Sequence, residues 1–149
     1  MKVKRELFKH CEVFVSKRLK TVEEIISSNQ NALQSETKSS AGDKHETGRA
    51  MLQLEMEKAS QQLAGIAIMK QTLAKVNVFK QSETVCLGSV VKTSIANYFI
   101  AVSAGQLNAL NETYFAVSTA SPIGKLLLGK KVSDKIVFNG KTIEILKIV

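Results

Sequence analysis

An acidic pair three residues apart, Asp43 and Glu46, stands in the polar stretch "SSAGDKHETGR" (39–49) of a chain whose net charge is +8. Two carboxylates at that spacing offer hard oxygen donors of the kind Mg²⁺ takes while keeping several of its waters. The same spacing also begins a helix. Asp43 as N-cap accepts from the Glu46 backbone N–H while Glu46 reaches back, an arrangement worth roughly 0.5–2 kcal/mol. The two uses are compatible in the free protein. His45, between the acids, reads as an exposed loop residue, and an unperturbed imidazole there would tune the local charge with pH. A lone acid pair holds Mg²⁺ poorly, so metal chemistry here needs donors from a partner, and the chain is not expected to be an enzyme by itself.

Two long amphipathic segments flank the pair. Over 3–33, Leu7, Cys11, Val15, Leu19, Val22, Ile26 and Leu33 fall on one stripe of a helix. Over 49–76, Leu52, Met56, Ala59, Leu63, Ile66, Leu73 and Val76 follow the alternating three-and-four spacing of a heptad seam. The spacing predicts an antiparallel hairpin, seam against seam, with arms of roughly 40–45 Å. The polar loop 34–48 then lies at its tip. The methionines Met51, Met56 and Met69 read as seam fillers.

From residue 77 the pattern changes to short runs rich in β-branched and aromatic residues, such as "NYFIAVSAG", "TYFAVST" and "KTIEILKIV". Asn139-Gly140 between "KIVF" and "KTIEI" marks a hairpin, because both residues tolerate positive φ. In "SPIGKLLLGKKVSD", Ser121 suits an N-cap, Pro122 a first helical turn and Gly129 a helix end. The fold expected is α+β: a helical hairpin over 1–76, a linker over 77–84 and a small strand-rich domain over 85–149.

Composition narrows the function classes. The chain has 149 residues with 21 Lys and Arg against 13 Asp and Glu, which favours an anionic partner or a steering field. Its charge is uneven: seven basic residues crowd 1–20, whereas 36–57 holds five acids against three basic groups. No motif for reading bases is present, so Lys125, Lys130 and Lys131 are candidates for general electrostatic contact only. The apolar run "LAGIAIM" (63–69) falls far short of the roughly 20 residues that span a bilayer. The N-terminus does not read as a signal peptide. Cys11 and Cys86 have no ligand-like spacing, and a reduced pair in the cytoplasm is expected.

The segment "YFAVSTASPIGKLLLGKKVSDKIVFNGKTIEILKI" (114–148) resembles the C-terminal end of Gre-type bacterial transcription elongation factors. It shares Ser-Pro-Ile, a leucine-rich turn, Leu-x-Gly-Lys, an acid before a strand and a closing strand; "VCLGSVVK" resembles the strand that opens that domain. Gly42-Asp43-Lys44-His45-Glu46 matches the family's Gly-Asp-x-x-Glu tip motif. Two departures are visible. Thr47-Gly48-Arg49-Ala50 replaces the family's usual run after the tip glutamate, and the start of the first helix lacks the family pattern.

The resemblance implies an FKBP-like C-terminal domain after an N-terminal coiled coil. It implies binding to bacterial RNA polymerase, with Ser121, Pro122 and Ile123 in the docking segment and the coiled-coil tip in the secondary channel. There Asp43 and Glu46 help hold a Mg²⁺ shared with the polymerase and promote cleavage of backtracked RNA, so RNA and DNA of the elongation complex are met indirectly. The chain alone binds no cofactor and is expected to be a cytoplasmic monomer. Other readings are a channel-occupying regulator that does not assist cleavage, an FKBP-like prolyl isomerase or chaperone, and an adaptor whose seam pairs between chains. Against the isomerase, the strand half has few aromatics and no tryptophan to wall a proline pocket.

Overall fold

The apolar stripes place both long helices, and polar helix formers carry them further than the stripes alone indicate. The computed structural model describes residues 2–38 and 43–149, and side chains within 2–35 and 47–149. Helix α1 runs Lys2–Lys38 and α2 runs Asp43–Ala74. Of the loop expected over 34–48, residues 34–38 and 43–48 are helical, and 39–42 lie outside the described residues. Residues 34–38, "QSETK", contain nothing that stops a helix, and Gly48 within α2 costs only about 1 kcal/mol against alanine.

The chain divides into two compact units, one of residues 15–69 and one of 1–14 with 70–149. In the first, Val15, Val22 and Asn29 of α1 are buried at seven-residue steps, as are Ala59 and Ile66 of α2. Val22 and Ala59 lie equally far along the chain from the turn, and so do Val15 and Ile66. One groove is lined by both Thr21–Asn29 and Glu55–Gln62 residues, so the two helices run side by side and antiparallel. The remaining stripe positions, Leu19, Ile26, Leu33, Leu52, Met56 and Leu63, are half-buried along the same seam.

The second unit carries a six-stranded sheet in the order β3-β4-β2-β1-β6-β5. Its strands are β1 (Val90–Thr93), β2 (Asn97–Ala101), β3 (Gly105–Ala109), β4 (Glu112–Ser118), β5 (Lys135–Phe138) and β6 (Lys141–Ile148). Strands β2 and β4 pair in parallel, Tyr98 opposite Phe115 through Ala101 opposite Ser118, and the other pairs are antiparallel. Helix α3 (Pro122–Leu127) fills the connection between β4 and β5. Alternation along the strands sorts the faces. Val91, Ile100, Ile143 and Ile145 join Ile123 and Leu127 of α3 in one core. Val90 and its partner Phe99 point the other way and are also fully buried. Within the same unit Leu7, Cys11 and Leu73 of the two long helices are buried as well. Each such side chain contributes about 1.5–3 kcal/mol on leaving water.

Two tight turns close antiparallel pairs. At Asn139-Gly140 both φ angles are positive, 51° and 77°, as the sequence predicts for the β5–β6 hairpin. At the β3–β4 turn the same geometry falls on Leu110 and Asn111, with φ of 48° and 64°. A leucine there gives no turn signal in the sequence.

Candidate functional site

Helix α1 stops at Lys38 and α2 starts at Asp43, so the acid pair stands where the chain reverses between the two long helices. Positions 43 and 46 are three apart in the first turn of α2, a spacing that puts two residues on one helix face. The start of a helix also favours negative charge. The side chains of Asp43, His45 and Glu46 lie outside the described residues. Among the described residues, no cluster of three or more His, Cys, Asp or Glu side chains forms a metal site.

The "SPIG" segment has a physical explanation at every position. Ser121 Oγ accepts from Gly124 N–H at 3.1 Å and donates to the Ser118 carbonyl at 2.7 Å, locking the entry to α3. Pro122 occupies the first turn, where its missing N–H costs nothing. Ile123 is buried in the core, so of the three docking candidates Pro122 is the exposed one, with Ser121 half-buried. A Cβ on Gly124 would overlap the Ser118 carbonyl oxygen and lie 2.8 Å from Ser121 Oγ. Glycine is what lets α3 lie this close to the end of β4.

The rest of the segment is similarly constrained. Gly129 turns the chain at φ +79° and donates to the Val85 carbonyl at 2.8 Å, while Val85 N–H donates to Lys130 O at 2.9 Å. Asp134, the acid before β5, accepts from Lys131 N–H at 2.8 Å. Lys125 and Lys131 are exposed and Lys130 is half-buried. Lys131 also borders a cavity of about 600 Å³ with Gln81, Ser82, Glu83, Val132 and Ile148.

Several polar positions were not singled out by motif. Lys4 is only 2% exposed, and its Nζ donates to the Lys80 carbonyl at 2.7 Å. Burial holds its ammonium below the usual lysine range, and the nearby Cys86 pulls it partly back. Among the basic residues of 1–20, Lys4 is therefore a structural anchor. Cys11 and Cys86 are free, and burial pushes the Cys11 thiol up to about 12. Asn29 occupies a seam position, and its Nδ2 is buried with no hydrogen-bond partner among the described residues. The signal for it was available: Asn29 continues the seven-residue step of Val15 and Val22. On the sheet, Glu112 accepts from Lys92 Nζ at 2.9 Å and from Tyr114 OH at 3.1 Å. These two donors hold its carboxyl below the usual range.

Among the described residues, the aromatic side chains pack into the sheet or against one another. Phe99 and Tyr114 are buried, and Tyr98 meets Phe115 at 6.3 Å between ring centroids. The grooves beside the seam and the cavity at Lys131 have no aromatic lining. No helix among the described residues is long and apolar enough to cross a membrane. Comparison of the chain with protein-family models and with curated proteins gave no match.

Proposed function

We propose that this chain is a Gre-type accessory factor of bacterial RNA polymerase that promotes cleavage of backtracked RNA. In this reading the strand-rich unit is FKBP-like and docks on the polymerase through the segment around Ser121, Pro122 and Ile123. The docking surface itself is Pro122 with neighbouring exposed groups such as Lys125, since Ile123 is committed to the core. The helical hairpin enters the secondary channel. The observation that carries the proposal is the position of Asp43 and Glu46 at the reversal between α1 and α2.

The acids would act as oxygen donors that complete a site begun by polymerase carboxylates, a role that suits the hard-donor preference of Mg²⁺. Bound there, Mg²⁺ supplies charge stabilisation for hydrolysis of the RNA phosphodiester. The chain's own part is to carry the two acidic positions on the first turn of α2, where a helix start favours negative charge. The excess of basic residues favours approach to an anionic assembly.

The cavities formed by Thr21–Gln62, by Leu33–Gln61 and beside Lys131 carry no aromatic side chain among the described residues, which weighs against the prolyl-isomerase reading. Co-sedimentation with purified bacterial core polymerase tests the first step. Binding that weakens when Lys125, Lys130 and Lys131 are changed together to Glu is expected. Absence of any binding at low salt would contradict the proposal.

A further inference from the structure

The two edges of the sheet differ in chemistry. At one edge, β5 opens with Lys135 and follows Lys130 and Lys131, and lysines on an edge discourage a further strand. At the other, β3 reads Gly-Gln-Leu-Asn-Ala, with no charge, no proline and no break in its register against β4. Between Lys92 and Lys125 the one charged residue is Glu112, and it is paired with Lys92 at 2.9 Å.

The register decides which groups this edge offers. The Leu110-Asn111 turn closes the β3–β4 pair at Ala109 and Glu112, which exchange hydrogen bonds, and bonded pairs alternate from there. Leu107 and Gly105 therefore bond to β4 as well, whereas the N–H and C=O groups of Gln106 and Asn108 point outward. Both residues are exposed. Asn108 Oδ1 accepts from Thr113 Oγ1 at 3.1 Å, which leaves the Asn108 amide nitrogen as a donor.

We propose that β3 pairs antiparallel with β3 of a second copy about a two-fold axis at Leu107, joining the two sheets into one. In that register Gln106 of each copy faces Asn108 of the other, and their outward backbone groups bond to each other. On one face Gln106 Oε1 accepts from Asn108 Nδ2 of the other copy, and on the opposite face the two Leu107 side chains meet. A net charge of +8 makes two copies repel in most orientations. At this edge they meet with no lysine opposite a lysine. The same neutrality offers a nucleic acid no cation along β3. The contact draws on no residue of 15–69 and on none of Ser121, Pro122 and Ile123, so the inference is independent of the polymerase reading.

Sedimentation equilibrium of the full chain over a wide concentration range tests it. The weight-average mass is expected to rise from 16.3 kDa towards twice that value. Gln106→Lys/Asn108→Lys, and separately Gln106→Glu/Asn108→Glu, set like charges opposite each other across the axis. Each pair is expected to weaken association at least about tenfold. An equimolar mixture of the two variants restores it, because lysine then faces glutamate. Amide hydrogen exchange at Gln106 and Asn108 is expected to slow on association, while exchange in β5 stays unchanged. Circular dichroism on each variant separates loss of association from loss of fold. A chain that stays monomeric throughout overturns the proposal. Association unchanged by the charged pairs overturns it too, as does a mixture that fails to recover or slowing at β5 in place of β3.

Discussion

Lys4 shows how much a single residue's role depends on contacts that sequence pattern does not carry. In a stretch with seven basic residues it has the composition of a solvated surface, yet it is buried and anchored to the Lys80 carbonyl. Because burial lowers its folded pKa, there is a window between that lowered value and the usual lysine range. Within it the unfolded chain holds a proton that the folded chain has released. Stability from this group therefore rises with pH through that window. Replacing it by Met is expected to flatten the rise, read as urea midpoints from neutral to alkaline pH. Parallel curves for the wild type and Lys4→Met would show that burial does not govern this ammonium. Asn29 is the complementary case, a buried donor with no partner among the described residues, costing about 1–3 kcal/mol. Its heptad position was visible in the sequence, but its orphaned state was not, since that depends on what α2 places opposite.

At the scale of elements, the segment with the strongest family resemblance is also the one most fully accounted for by folding. Ser121 caps α3, Pro122 starts it, Ile123 fills the core, Gly129 turns the chain and Asp134 holds the next turn. Residue types this constrained would recur wherever this helix lies against this strand, so they speak to fold more directly than to partner. Gly124→Ala is the sharpest test. Its methyl would collide with backbone rather than with a flexible side chain. A loss of about 1–3 kcal/mol is expected from overpacking, seen as a lower thermal midpoint. An unchanged midpoint would mean that α3 can lift off β4 without cost. Local signals of this kind were legible beforehand: the apolar stripes of α1 and α2, the Ser-Pro start of α3 and the Asn139-Gly140 turn. The Leu110-Asn111 turn was not, because tertiary pairing of β3 with β4 imposes positive φ on a residue that does not favour it. Nor was the strand order, in which β4 inserts in parallel beside β2; register of that kind is set by long-range packing.

For the whole molecule, the α+β arrangement of two long helices followed by a mixed sheet agrees with the sequence reading. The helices reach further into 34–48 than its polar composition suggested, α1 to Lys38 and α2 from Asp43. That change brings the acid pair from a long loop onto the first turn of α2, where helix geometry fixes the spacing of its two positions. Positions on a helix are held more tightly than positions in a loop, which suits the proposed role of the pair. In the proposed function, cleavage depends on Asp43 and Glu46 together, and the proposed polymerase binding on the rest of the chain. The two can be separated experimentally. The most direct measurement is endonucleolytic RNA cleavage in purified, backtracked bacterial elongation complexes, comparing wild type with Asp43→Ala/Glu46→Ala at saturating, independently measured binding. The account predicts stimulated cleavage by the wild type and its loss in the double variant with binding retained. Equal cleavage by the two proteins, or wild-type binding without stimulation, would contradict the catalytic role of the acid pair.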